Sequence, residues 1–122
     1  MAKTWVERLK VRTSGVDALC LHLSGGNQQK IVLAKWLNAR ARILIVDHPT
    51  QGLDVGAKEE VYELVRAVTN EGVAVILTSD TLEETIGLSH TVLVMRDGVV
   101  TCRTSVSPGA KPPQVDLIGH MV

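Results

Sequence analysis

Two short apolar runs constrain this chain more than any other feature. ARILIVDH (41–48) and VAVILTSD (73–80) are dense in β-branched residues, the pattern of strands buried on both faces. Between them lies an amphipathic stretch in which Ala57, Val61, Leu64, Val65 and Val68 recur at helical spacing. Lys58, Glu59, Glu60, Glu63 and Arg66 fill its outer face, and Asn70-Glu71-Gly72 closes it. Strand, helix and strand in succession require a right-handed crossover and a parallel pair. TLEETIGLS (81–89) then reads as a shorter helix and TVLVMRDG (91–98) as a third strand. Asp97-Gly98 is a hairpin signal, with VVTCRTS (99–105) returning. The fold class is α/β with a mainly parallel sheet. Ligands of such sheets gather at the carboxyl ends of the strands, where Asp47 and Asp80 fall.

Around this frame the pattern is less regular. Residues 1–22 read as a short helix and a loop, with Gly15 breaking any longer helix. From Asn27 to about Ala39 a helix is expected, burying Ile31, Ala34 and Leu37 with Trp36 alongside. Pro108, Gly109, Pro112 and Pro113 mark a loop before a small terminal helix in VDLIGHMV.

Composition excludes several classes of function. Of 122 residues 45% are apolar and 21% charged, with 13 basic residues against 13 acidic. No net field draws nucleic acid, and Trp5, Trp36 and Tyr62 are too few for a base-stacking platform. Cys20 and Cys102 stand alone, as expected of buried thiols in a reducing compartment, and no Cys/His spacing suits zinc. MAKTWVERLK lacks the apolar stretch of a signal peptide, and no run approaches a membrane span. The expected location is therefore cytoplasmic, with any membrane link made through a partner.

LSGGNQQK (23–30) is the motif that carries chemistry. Ser24 can cap the following helix, and the glycines permit a tight turn. Bare glycines also let an anion approach the open N–H groups and the positive end of the helix dipole. Order and spacing extend the motif: a helix follows, then a strand ending in Asp47, then Pro49-Thr50 and Gly52-Leu53-Asp54.

This series resembles the ATP-binding-cassette ATPases. LSGGNQQK is similar to their signature loop, ILIVDHPT to the Walker B strand and QGLD to the D-loop. NQQK…LAKWLNARARILIVD, GLDVGAKEEVY and VLVMRDG resemble the second cassette of bacterial sugar-importer ATPases. The resemblance implies that Ser24, Gly25 and Gly26, extended by Asn27 and Gln28, contact the γ-phosphate of ATP held by an opposing cassette. It implies that Asp47 supports Mg²⁺ and that Asp54 is the D-loop aspartate. An N-cap on the next helix explains Asp54 equally well.

The departures are as informative. The family places Glu after the Walker B aspartate, where this chain has His48, which lacks a fixed negative charge. The family's switch histidine falls at Asp80, which repels a phosphate when ionised. His90 lies beyond the next helix and reads as a surface residue or a hydrogen-bonded structural one. No G-x-x-x-x-G-K-[ST] loop occurs, and no Q-loop is recognisable before the signature. The expected fold is a partial P-loop NTPase, the carboxyl-terminal half of a cassette without the phosphate-loop strand. That strand would lie between those at 73–79 and 91–96. Its loss would otherwise leave a gap with unpaired backbone groups, so altered pairing, or self-association that covers the exposed edge, is expected.

The expectation is a single partial nucleotide-binding domain over 1–122: a signature-bearing part (1–40), a sheet-and-helix part (41–105) and a tail (106–122). Its cofactors would be ATP and Mg²⁺, supplied with a cassette that has an intact Walker A or with a missing amino-terminal half. The transporter membrane subunit would be reached indirectly, at the inner face of the membrane. Alone, the chain should not hydrolyse ATP. Two other classes compete: a non-catalytic interaction module, and a small hydrolase using Asp47, His48 and Asp80.

Overall fold

The computed structural model describes residues 2–122. In order it contains α1 (Ala2–Arg8), a 3-10 turn (Cys20–His22), α2 (Gly25–Asn38), β1 (Ile43–Val46), α3 (Val55–Asn70) and β2 (Ala74–Leu77). There follow α4 (Leu82–Leu88), β3 (Thr91–Arg96), β4 (Val99–Ser105) and α5 (Gln114–Ile118). The chain forms two compact units, one ending at Ile76 and the other beginning at Leu77.

The first unit is built on α3. Asp54 caps it, its Oδ1 accepting from the Ala57 N–H at 2.9 Å. At the far end Gly72, with φ +88°, turns the chain back, and the Val73 N–H donates to the Val68 carbonyl at 3.3 Å. This reversal delivers Ala74 to the Arg42 carbonyl at 3.0 Å and starts the parallel β1–β2 pairing. Val61, Leu64, Val65 and Val68 are buried as their spacing requires. Leu64 and Val68 share a core with Leu9, Val11, Leu33 and Leu44.

Two expectations about burial need correction here. β1 and β2 are not covered on both faces: Leu44 is 6% exposed, whereas Ile43, Ile45 and Ile76 are 63%, 75% and 57% exposed. Side chains alternate across a strand, and helices cover only the Leu44 side. In α2 the buried stripe is Asn27, Lys30 and Leu33, while Trp36 is exposed. Ile31, Ala34 and Leu37 pack only partly against the core. The helix is rotated because two of its polar residues have partners inside.

The second unit is a hairpin with two short helices. Asp97 and Gly98, at φ 50° and 79°, form the two-residue turn. β3 and β4 pair antiparallel from Thr91↔Ser105 to Val94↔Cys102, then shift register between Val94 and Met95. Thr101 sits at that irregularity and donates its hydroxyl to the carbonyls of Val94 (3.2 Å) and His120 (2.8 Å). Ile86, Val92, Val94, Val106 and Leu117 form this unit's core.

Among the described residues the strands form two two-stranded sheets, β1–β2 and β3–β4. The expected buried thiols are also corrected, since Cys20 is exposed and Cys102 half-buried.

Candidate functional site

The amino-terminal end of α2 is held by its own side chains. Ser24 is the N-cap residue, yet its hydroxyl makes no capping bond to the helix backbone. Instead Ser24 Oγ accepts from Asn27 Nδ2 at 2.9 Å. Asn27, only 6% exposed, uses its Oδ1 to accept from the Arg12 N–H at 2.9 Å. Gln28 Nε2 donates to the Leu23 carbonyl at 2.9 Å, fixing the residue before the loop. The first N–H groups of a helix have no intrahelical carbonyl, so those of Gly25, Gly26 and Asn27 point out of the helix end. Beside them opens a hollow of about 580 Å³ lined by Arg12, Thr13, Ser14, His22, Ser24 and Asn27 together with the apolar Ala18 and Leu23. Hydroxyl, open amides and positive dipole end together suit an anion.

The glycines have a second reason to be there. Neither Gly25 nor Gly26 adopts a left-handed conformation, so the tight-turn explanation is corrected. A Cβ on Gly25 would lie 2.8 Å from Leu53 Cδ2, and one on Gly26 would lie 3.0 Å from Ala57 Cβ. Leu53 can move the far end of its side chain; Ala57 can yield only with its backbone. Gly26 is therefore the position where α2 presses directly onto the start of α3.

Lys30 and Glu60 are the residues that sequence reasoning missed. Lys30 is 4% exposed, and its Nζ lies 2.8 Å from Glu60 Oε2 and 3.3 Å from the Lys10 carbonyl oxygen. Arg12 Nη2 approaches Glu60 Oε1 at 3.6 Å. The bond from Lys30 holds the Glu60 carboxyl below its ordinary range, against desolvation and the nearby Asp54 charge. Glu60 is thus not simply part of the outer face of α3. The available signal was spacing: Lys30 lies on the same helical face as Asn27 and Leu33.

The end of β1 is built differently. Asp47 follows the strand with its side chain 78% exposed, and His48 Nε2 lies 3.6 Å from Asp47 Oδ1. His48 adopts φ 44°, a left-handed conformation that bends the chain sharply after Asp47. Thr50 is buried, and Gly52, at φ 73°, completes the turn into Asp54. Asp80 is exposed, past the end of β2 in the second unit. Thr81 after it caps α4 by accepting from the Glu84 N–H at 3.3 Å.

A bound Mg-ATP needs a phosphate cradle and a metal shell. Among the described residues no group of three or more His, Cys, Asp or Glu side chains could hold a metal ion. Asp47 offers one carboxylate, and the α2 end offers amides and a hydroxyl. The donor set fits one side of such a site, not the whole.

No family profile matches the chain. Individual relatives do. It is 50% identical over 93 residues to the ribose import ATP-binding protein of Shouchella clausii, covering 76% of this chain and 19% of that protein. It is 45% identical over 100 residues to the xylose import ATP-binding protein of Moorella thermoacetica (82% and 20%). A putative ribose/galactose/methyl galactoside import ATP-binding protein of Hahella chejuensis is 46% identical over 104 residues (83% and 20%). Two solved structures share the fold. One is an ATP-binding cassette of an ABC transporter, with TM-score 0.76 and 19% identity, covering 86% of this chain and 41% of that one. The other is a dimeric ATP-binding cassette in a post-hydrolysis state with ADP and Pi, with TM-score 0.72 and 20% identity (87% and 46%).

The chain belongs to the ATP-binding-cassette ATPases and has a partial form of their P-loop NTPase fold. Within that class its relatives are the ATP-binding proteins of sugar importers, and it spans about a fifth of their length. Among the described residues no helix is long and apolar enough to cross a membrane.

Proposed function

We propose that this chain supplies the signature half of an ATP site in a sugar-import ATPase. Ser24, Gly25 and Gly26, backed by Asn27 and Gln28, face the terminal phosphate of Mg-ATP held on the phosphate loop of a partner cassette. Asp54 orders the D-loop beside them, and Asp47 is the carboxylate available to a magnesium shell. Without a phosphate loop, and with His48 and Asp80 at the base and switch positions, the chain does not hydrolyse ATP by itself. Through its partner it sits at the cytoplasmic face of a membrane transporter subunit. The observation that carries this reading is the α2 end, with its amides directed outward and Ser24 Oγ held by the buried Asn27.

The test is ATP turnover by a cassette with an intact phosphate loop, measured with and without this chain. Stimulation by the wild type that disappears in Ser24→Arg supports donation in trans. Turnover by the chain alone would overturn it. The competing reading, an interaction module without nucleotide, draws on the 79% exposed Val55 at the head of α3, next to the signature face. It predicts partner binding unaffected by Ser24→Arg and no stimulation.

A further inference from the structure

Three independent contacts join the start of α2 to the start of α3. Gly26 packs against Ala57 so closely that a Cβ would stand 3.0 Å from the Ala57 Cβ. Gly25 faces Leu53 of the D-loop in the same way, at 2.8 Å. One turn further along, the buried Lys30 bonds Glu60 at 2.8 Å and the Lys10 carbonyl at 3.3 Å. The two loops lie at one end of this joint: Ser24 precedes α2, and Gly52–Asp54 precedes α3.

We propose that Lys30 and Glu60 form a clasp that makes the signature loop and the D-loop one rigid unit, presented to a partner together. Lys30 is then a positioning residue. It touches no nucleotide, and it acts by fixing the angle at which the Gly25, Gly26 and Asn27 amides leave α2 relative to Asp54. The physical basis is the cost of separating the pair. Lys30 is 4% exposed, so tilting α2 away would leave its ammonium without the Glu60 carboxylate that neutralises it. Tilting it inward is blocked by the Gly26–Ala57 contact. One contact resists opening and the other resists closing, which defines a single geometry. The Arg12 backbone adds a third tether through Asn27, so the segment before the 3-10 turn is tied into the same joint.

The functional consequence rests on the donor reading; the clasp itself does not. Amide hydrogen exchange on the full chain tests it directly in wild type, Lys30→Met, Glu60→Gln and the conservative Lys30→Arg. The Gln28 amide reports on the signature helix and the Ala57 amide on the Asp54 cap. In Lys30→Met both should exchange about tenfold faster or more, together, while the 91–105 hairpin keeps its protection. Lys30→Arg should restore both. A change at one loop only, or at neither, overturns the clasp. Should Lys30→Met unfold the chain, Glu60→Gln decides alone: both amides should exchange together about three- to fivefold faster, and a change at one loop only, or at neither, overturns the clasp. In the turnover assay with an intact cassette, Lys30→Met should lower maximal stimulation more than it raises the half-saturating concentration. If the wild type stimulates nothing, the donor reading fails while the exchange result still stands for or against the clasp.

Discussion

The start of α2 and the end of β1 both carry residues proposed to face nucleotide, yet they are built to different standards. At the α2 end a buried asparagine organises the loop, an ion pair backs it, and two glycines admit a neighbouring helix. At the β1 end Asp47 stands mostly in solvent beside His48, whose backbone is left-handed. The first region is fixed by contacts drawn from three parts of the chain, whereas the second leaves its carboxylate exposed. Side chains that must present themselves to another molecule need this kind of support behind them. The difference favours a chain that completes a site over one that holds its own.

Mutations that break the contrast should rank accordingly. Asn27→Ala removes a buried side chain that bonds the Arg12 N–H and the Ser24 hydroxyl, both on exposed residues that water can reach. Denaturant unfolding should show a loss of about 1–2 kcal/mol, the net worth of two hydrogen bonds. Asp54→Ala removes the α3 cap and should cost about 1 kcal/mol in the same assay.

The Lys30–Glu60 pair should show itself through pH. The folded Glu60 pKa is lowered from 4.5, so its contribution is fully present above that value. It is lost as pH falls below 4.5 through the folded pKa. Glu60 is about a third exposed, so the effect stays below about 1 kcal/mol, and Glu60→Gln should flatten that part of the melting-temperature profile.

The smallest effects belong to the strand end. Asp47→Ala and His48→Gly should each change stability by less than about 0.5 kcal/mol. Glycine relieves the left-handed backbone at 48, which offsets the lost imidazole contacts and the added unfolded-state entropy. A large loss in either variant would show that the β1 end is as tightly built as the α2 end.

Most elements were legible from periodicity and punctuation. The α3 core stripe, its Asp54 cap and the Asp97-Gly98 turn all follow from local chemistry that acts within a few residues. What stayed hidden depended on distant partners. ILIV (43–46) is apolar at every position, so nothing local reveals that Ile43 and Ile45 lack a covering layer while Leu44 has one. Lys30 reads as a solvated lysine until Glu60 and the Lys10 carbonyl are brought to it across the fold. The signature glycines invited an explanation by anion or turn, because the Ala57 that fills the missing Cβ space lies thirty-one positions away. The candidate site was visible as a motif; the scaffold that aims it was not.

The most direct measurement is equilibrium binding of Mg-ATP to this chain alone, to a cassette with an intact phosphate loop, and to the two mixed. The donor reading predicts no saturable binding by the chain alone and tighter binding by the cassette when the chain is added. Saturable one-to-one binding of Mg-ATP by the isolated chain would contradict it.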